Sequence, residues 1–151
     1  MKKGFTLACI AAFILLYEDL NHLIVILVVG GYEFGDAWTK AFRSSSIEGV
    51  LLAGSFRAIP FIPLLLCGLF TKLLSHLRGM VSLWVGYAVS VIVVFIGYWS
   101  VTEPLYTDAH ATSTSALGYI GVPIAALVYS SVACIVTYIA IYVYEVVLKR
   151  A

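Results

Sequence analysis

Four apolar stretches, near residues 5–30, 48–71, 81–101 and 117–145, occupy most of this 151-residue chain. The hydrocarbon layer of a bilayer is about 30 Å thick, so a helix rising about 1.5 Å per residue crosses it in roughly 20 apolar residues. Each stretch meets that length. Inside lipid no water bonds to the peptide groups, so every crossing segment must satisfy its own backbone, which a helix does. The pattern therefore predicts an all-α protein: a four-transmembrane-helix bundle forming one integral membrane domain over 1–151. Composition agrees. The chain is 62% hydrophobic and 11% charged, against about half and a quarter in soluble domains, and one small core cannot bury that excess. The fourth stretch is long enough to require tilt or to project beyond the bilayer.

The opening MKKGFTLACIAAFILLYEDL carries the lysines and apolar run of a secretory signal. Tyr17, Glu18 and Asp19 follow where a small-residue cleavage site would stand, so the reading is a retained signal-anchor helix. Basic residues near span ends set orientation. Lys2, Lys3, Lys72, Arg78, Lys149 and Arg150 all fall on one side of an even-numbered bundle. The other side holds Lys40 and Arg43, offset by Glu33 and Asp36, and then Glu103 and Asp108. Both termini are expected to be cytoplasmic, in a multi-pass protein of a bacterial inner membrane. Trp84 and Tyr87 near one face, Tyr98 and Trp99 near the other, and Tyr138, Tyr142 and Tyr144 near the inner end fit the aromatic belts of such a frame.

Charge excludes one class of partner. At a net +1, with no basic stripe to neutralise phosphates, nucleic acid is not expected. Cys9, Cys67 and Cys134 are odd in number, lack a CxxC pairing, and fall toward the reducing side. They read as small buried apolar residues rather than redox groups.

The costly feature is LLYEDLNHLIVIL, where Glu18, Asp19, Asn21 and His22 interrupt the first apolar run. Taken as one continuous helix, these four occupy an arc of about 160° shared with Ala8 and Ala11, while Phe13, Leu20, Ile24 and Leu27 lie opposite. Small residues permit close helix approach, so the polar face should point into the bundle and the Phe13 face should meet lipid. An isolated charge at the bilayer centre costs several kcal/mol, so a carboxylate there needs a partner. Arg57 in the second span supplies one. Glu18 lies roughly 20 Å in from one surface and Arg57 roughly 12–14 Å in from the other, and in a layer about 30 Å thick those depths nearly coincide. An ion pair between Arg57 and Glu18 or Asp19 is expected, with Asn21 and His22 nearer the outer surface. Pro60 and Pro63 should kink the second span and free the carbonyls of Phe56 and Ile59 for the guanidinium or for water; Pro123 should do the same in the fourth. Together these predict a polar pocket in the outer half of the bundle. A buried pair with proline kinks could equally serve only to set helix register.

Other constellations are weaker. Glu18 and His22 have an i, i+4 spacing, but no third ligand converges, so metal and haem are not expected. Asp108 and His110 lack a neighbouring nucleophile and read as a solvated loop leading to a helix cap near Ser113–Ser115. Ser82, Gly86 and Ser90, and likewise Ala126, Ser130 and Cys134, recur every four residues as packing ridges, for a neighbouring helix or another protomer. In the 31–49 segment Tyr32, Phe34, Trp38, Phe42 and Arg43 form a candidate partner-binding loop; Trp38, Ala41 and Phe42 share one side of a helical turn, so a membrane-surface segment is the blander and favoured reading.

No Gly-rich phosphate loop, nucleophile elbow, metal motif or cofactor fingerprint is present, which argues against an enzyme. Two functions remain. The first is a non-enzymatic membrane protein that binds another membrane protein or a toxin through its helices and outer loops. In size, span count and termini-in topology the chain is similar to the immunity proteins that protect bacteria from membrane-targeting toxins, a likeness of format that carries no motif. The alternative is a small transporter or channel subunit, oligomeric because four spans are few for a pathway, that uses the buried Glu18/Asp19/His22–Arg57 pocket.

Overall fold

A computed structural model describes residues 2–43, 47–107 and 115–148, with the side chains of all of these except 47–50, 115, 116 and 148. The expected cap near Ser113–Ser115, the pair Asp108 and His110, and the terminal Lys149 and Arg150 lie outside the described residues or side chains. The described chain is helical throughout: α1 (Lys2–Leu15), α2 (Glu18–Val28), α3 (Phe34–Ala41), α4 (Ile47–Ala58), α5 (Phe61–Phe70), α6 (Leu77–Thr102) and α7 (Ser115–Val143). Short 3-10 turns follow α5 and α6, and a π-helical turn, Tyr144–Leu148, continues α7.

Two segments, Leu77–Leu105 and Leu117–Val147, are each long and apolar enough to cross a membrane. The first two apolar runs of the sequence are not straight helices. Each is a pair of helices bent at a break, by 57° between α1 and α2 and by 56° between α4 and α5, and each pair passes the same test when its halves are taken together.

The α6–α7 hairpin is the broadest helix–helix interface in the molecule. The two sequence ridges pack on each other inside the chain: a β-carbon added to Gly86 would collide with Cys134 Sγ, and that thiol donates to the Ser82 carbonyl at 3.2 Å. Gly97 and Gly118 receive Val122 and Val101 in the same manner. The α6 ridge continues every fourth residue through Val94, Tyr98 and Thr102, all buried. Around this hairpin, α1 packs on α5 and α6, α2 on α6 and α3, and α4 on α7. Near the N-terminus Phe5, Cys9, Leu64, Leu74 and Leu83 make one core cluster; Ala12, Leu16, Phe61, Val94, Tyr98 and Ala126 make the middle one. A third, with Leu23, Ile26, Ala37 and Ala41, joins α2 to α3.

Basic groups gather at one end. Lys2 Nζ donates to the Leu69 carbonyl at 2.9 Å, which sets the start of α1 beside the end of α5. Lys72 follows in the next turn, and Arg78 Nε meets Glu145 Oε2 at 3.0 Å, with the Tyr142 ring 5.3 Å away. That pair is a third exposed on each side and contributes no more than about 1 kcal/mol. The opposite end carries α3 and the Glu103–Tyr106 turn.

Three expectations about bends need correction. The first apolar run, expected as one helix, breaks at Leu16–Tyr17 without a proline. Of the three prolines expected to kink a span, Pro60 stands at the break that bends the second run by 56°, as expected. Pro63 is the third residue of α5, where the first-turn N–H has no helical acceptor and its loss costs nothing. Pro123 lies inside α7, which continues through it; with no N–H it leaves the Tyr119 carbonyl without the usual helical donor, as expected. The Phe56 carbonyl freed by Pro60 is not left for Arg57 or water: the Ile59 N–H takes it at 3.0 Å, closing α4 with a tighter turn.

Candidate functional site

Both breaks place charge at a helix end. Helix α1 stops when Leu16 N–H bonds Ala12 O and Tyr17 N–H bonds Ile14 O. Tyr17 then turns extended, and its carbonyl accepts the Asn21 N–H at 3.0 Å to start α2. Glu18 and Asp19 therefore occupy the first turn of a new helix. The unpaired N–H groups there carry partial positive charge and favour an acid by about 0.3–1 kcal/mol. Arg57 sits in the last turn of α4, where the dipole favours a cation. The breaks face each other, and Arg57 Nη1 lies 2.6 Å from Glu18 Oε2. The Phe13 and Tyr17 rings stand 4.6 and 4.9 Å from the guanidinium carbon, within cation–π range. Phe13, expected to face lipid, instead covers the ion pair. Its expected direction assumed a single helix, and a 57° bend removes that phase relation.

Beside the pair lies a cavity of about 460 Å³, lined by Glu18, Asp19, His22, Phe56, Tyr98 and Tyr119, with Ala41 and Ala53 completing the wall. Leu52 and Ile120, both exposed, flank it between α4 and α7. It occupies the half of the molecule away from the basic end. Arg57 itself is 5% exposed; its Nε and Asn21 Oδ1 are buried without a hydrogen-bond partner among the described residues. Asn21 points away from the cavity residues toward α6, where its Nδ2 donates to the Phe95 carbonyl at 3.1 Å.

His22 reaches in the other direction, its Nε2 2.7 Å from the Tyr106 hydroxyl. Burial pushes that hydroxyl above its ordinary value, against the pull of the Lys40 ammonium, so it stays a neutral phenol that can donate to an unprotonated His22 nitrogen. Tyr106 abuts Tyr32 edge-on, and Lys40 Nζ lies 3.6 Å from the Tyr32 ring centre. The cavity's outer wall is thereby tied to the α3 region.

In α3 the buried residues are Ala37 and Ala41, which pack on α2, whereas Phe34 and Trp38 are 62% and 48% exposed. The Trp38 and Phe42 rings lie 4.5 Å apart, tilted by 38°; Phe42 is half-buried and Arg43 is exposed. The side shared by Trp38, Ala41 and Phe42 is thus split: alanine buries and the aromatics form a surface row.

The prolines of the second run flank a different space, an apolar cleft of about 390 Å³ between α5, α6 and α7 that also touches Cys67, Ser82, Ser130 and Cys134. All three cysteines are free thiols. No group of three or more His, Cys, Asp or Glu side chains could hold a metal among the described residues.

Tyr98, Tyr119 and Phe56 line the cavity and were missed as site residues. For Tyr98 a signal existed. It extends the four-residue series from Ser82, Gly86 and Ser90, which marks it as facing the bundle rather than the interface. Phe56 was noticed only for its backbone carbonyl, and nothing in the sequence pointed to the side chain of Tyr119 or Phe56. Comparison with known protein families, with curated proteins and with solved structures finds no match to this chain.

Proposed function

We propose that the four apolar runs form a four-span bundle in a bacterial inner membrane, each bent pair counting as one span, with both termini cytoplasmic. In this reading the chain is a small transporter or channel subunit whose cavity carries a cation, and four spans imply a homo-oligomer. The observation that carries it is the meeting of two broken helices at the Arg57–Glu18 pair, directly beside a cavity with two carboxylates, an imidazole and two phenols. Helix breaks at membrane depth are tolerated where they are buried in protein or line a cavity, and transporters place binding sites between such half-helices. The gathering of Lys2, Lys72 and Arg78 at one end supports the orientation.

A second reading, a membrane protein that binds another membrane protein or a toxin, draws on the exposed row of Phe34 and Trp38 beside Arg43, the composition of an interface hot spot.

One experiment separates them. In proteoliposomes under an imposed membrane potential, Asp19→Asn is expected to lower proton or sodium flux at least about tenfold, because a carboxylate in a site shielded from water stabilises a cation strongly. Elution as a monodisperse species should be unchanged. Serine at Phe34 and Trp38 should leave flux intact. Wild-type flux in Asp19→Asn, with loss of a co-purifying protein in the Phe34/Trp38 variant, would reverse the assignment.

A further inference from the structure

We infer that the apolar cleft between α5, α6 and α7 seats one acyl chain of an anionic phospholipid, whose phosphate lies on Lys72 and Arg78 at the basic end. The cleft shares no lining residue with the cavity beside the Arg57–Glu18 pair. The inference therefore rests on the bilayer-spanning frame of the proposed function and not on its cation site.

The lining selects an apolar guest. Leu64, Leu73, Leu83, Leu127, Ile135 and Ile139 supply much of the wall, and no Asp, Glu, Lys, Arg or His among the described residues takes part. Two hydroxyls in the wall are already used. Ser82 donates to the Gly79 carbonyl at 3.0 Å and Ser130 to the Leu127 carbonyl at 3.1 Å. A polar solute would lose its water here and find few partners in exchange.

Length selects a chain rather than a compact molecule. On α7 the cleft runs from Leu127 to Ile139, roughly 18 Å at about 1.5 Å per residue. On the facing side it starts at Pro60, where the second run bends, and ends at Leu73. One leaflet's hydrocarbon is about 15 Å deep, half of a core about 30 Å thick. The cleft thus covers one leaflet, from mid-membrane to the basic end, along the direction a lipid tail takes. Its volume of about 390 Å³ falls within the roughly 300–1,000 Å³ of ordinary ligand sites. Pro63, Ser131 and Ile135 at its rim are exposed, whereas Leu64, Ser82 and Leu83 at its floor are buried. In a bilayer that open side meets acyl chains.

The end at Leu73 and Ile139 sets the headgroup. Lys72 directly precedes Leu73 and is exposed. Tyr138 lines the cleft, and the Arg78 guanidinium carbon stands 5.9 Å from its ring centre. Glu145 meets that guanidinium at Nε, 3.0 Å away. An arginine fork has five N–H donors, so it can hold a phosphate as well as this carboxylate. Basic pockets between spanning helices on the cytoplasmic side bind phosphate-bearing lipid heads, and the proposed orientation puts this end there.

The test is native mass spectrometry of the purified protein, titrated with palmitoyl-oleoyl phosphatidylglycerol or with the phosphatidylcholine of the same chains. The first phosphatidylglycerol should bind at least about fivefold more tightly than phosphatidylcholine. Lys72→Gln with Arg78→Gln should remove that preference. Ser131→Phe, which adds a ring at the rim and changes no charge, should weaken phosphatidylglycerol several-fold. Glycerol phosphate, the head without its tails, should displace nothing. If Ser131→Phe fails to elute as a monodisperse species, the Lys72/Arg78 variant decides. Equal affinity for the two lipids, a preference that survives in that variant, unchanged binding in Ser131→Phe, or displacement by glycerol phosphate overturns the inference. Cloud-point separation tells which reading fails: a protein without lipid preference that enters the detergent phase keeps the membrane frame, and one that stays in the aqueous phase sinks both.

Discussion

Arg57→Ala is expected to destabilise the protein by about 3–5 kcal/mol, the usual consequence of leaving one member of a buried pair without its counter-ion. The side chains of Arg57 and Glu18 are 6% and 14% exposed, so water cannot replace the lost partner. The loss extends beyond one contact. Phe13 and Tyr17 stack on the guanidinium, and the pair joins the two breaks. Thermal melting of the detergent-solubilised protein, with monodisperse yield, reads the effect. Glu18→Gln with Arg57→Met should recover much of the loss, because apolar or neutral replacements remove the desolvation penalty together with the attraction. Charge reversal, Glu18→Arg with Arg57→Glu, should recover less. It restores attraction but sets a cation at the start of α2 and an anion at the end of α4, each opposed by the helix dipole by about 0.3–1 kcal/mol. Wild-type melting of Arg57→Ala would mean the pair is not a fastener.

The second large effect is expected at Gly86, where α6 and α7 come closest. A β-carbon there would collide with Cys134 Sγ, and it would also stand 3.3 Å from the Ser130 carbonyl. Overpacking costs typically about 1–3 kcal/mol. Gly86→Ala should fall within that range, and Gly86→Val should exceed it, because the carbonyl belongs to the α7 backbone and yields only if the hairpin opens. Relief should be specific: Cys134→Ala in the Gly86→Ala background should return most of the stability, whereas Cys67→Ala, whose thiol is not at the contact, should not. A double-mutant cycle with no coupling between positions 86 and 134 would refute this packing. Since Tyr98 and Tyr119 stand on the same two helices, opening the hairpin should also impair the cavity.

Legibility differed from feature to feature, for physical reasons. The helical class followed from apolar length alone, since a chain with runs of this kind has few ways to satisfy its backbone in lipid. The pairing of Arg57 with an acid was legible too. Rise per residue sets depth, depth coincided for Arg57 and Glu18, and a lone charge is too costly to leave unmatched. The ridges of α6 and α7 were visible as a four-residue period, but whether they met each other or a second protomer was not. Both alternatives have the same sequence pattern, and the structure chose the first.

The break at Tyr17 carries a different lesson. The first run was read as one helix because it is continuously apolar around its polar insert, and that error turned Phe13 outward. The signal against it was present: two acids in succession favour a helix N-terminus, and Glu18 and Asp19 stand at one. Pro60, Pro63 and Pro123 were read alike, although only the first interrupts a helix. A proline in the first turn lacks nothing, and one within α7 is accommodated without ending the helix.

By itself, then, the sequence determined that this chain is helical and suited to lipid, where charge could be tolerated in it, and which opposite charge had to come near. Those properties depend on length, period and the cost of desolvation, all of which are local or additive along the chain. Only the tertiary structure decided that the acids begin a helix, that Phe13 and Tyr17 clasp the guanidinium, and that Phe56, Tyr98 and Tyr119 complete a cavity. Each of these depends on the angle between segments distant in sequence, and a bend of 57° or 56° redirects every side chain beyond it.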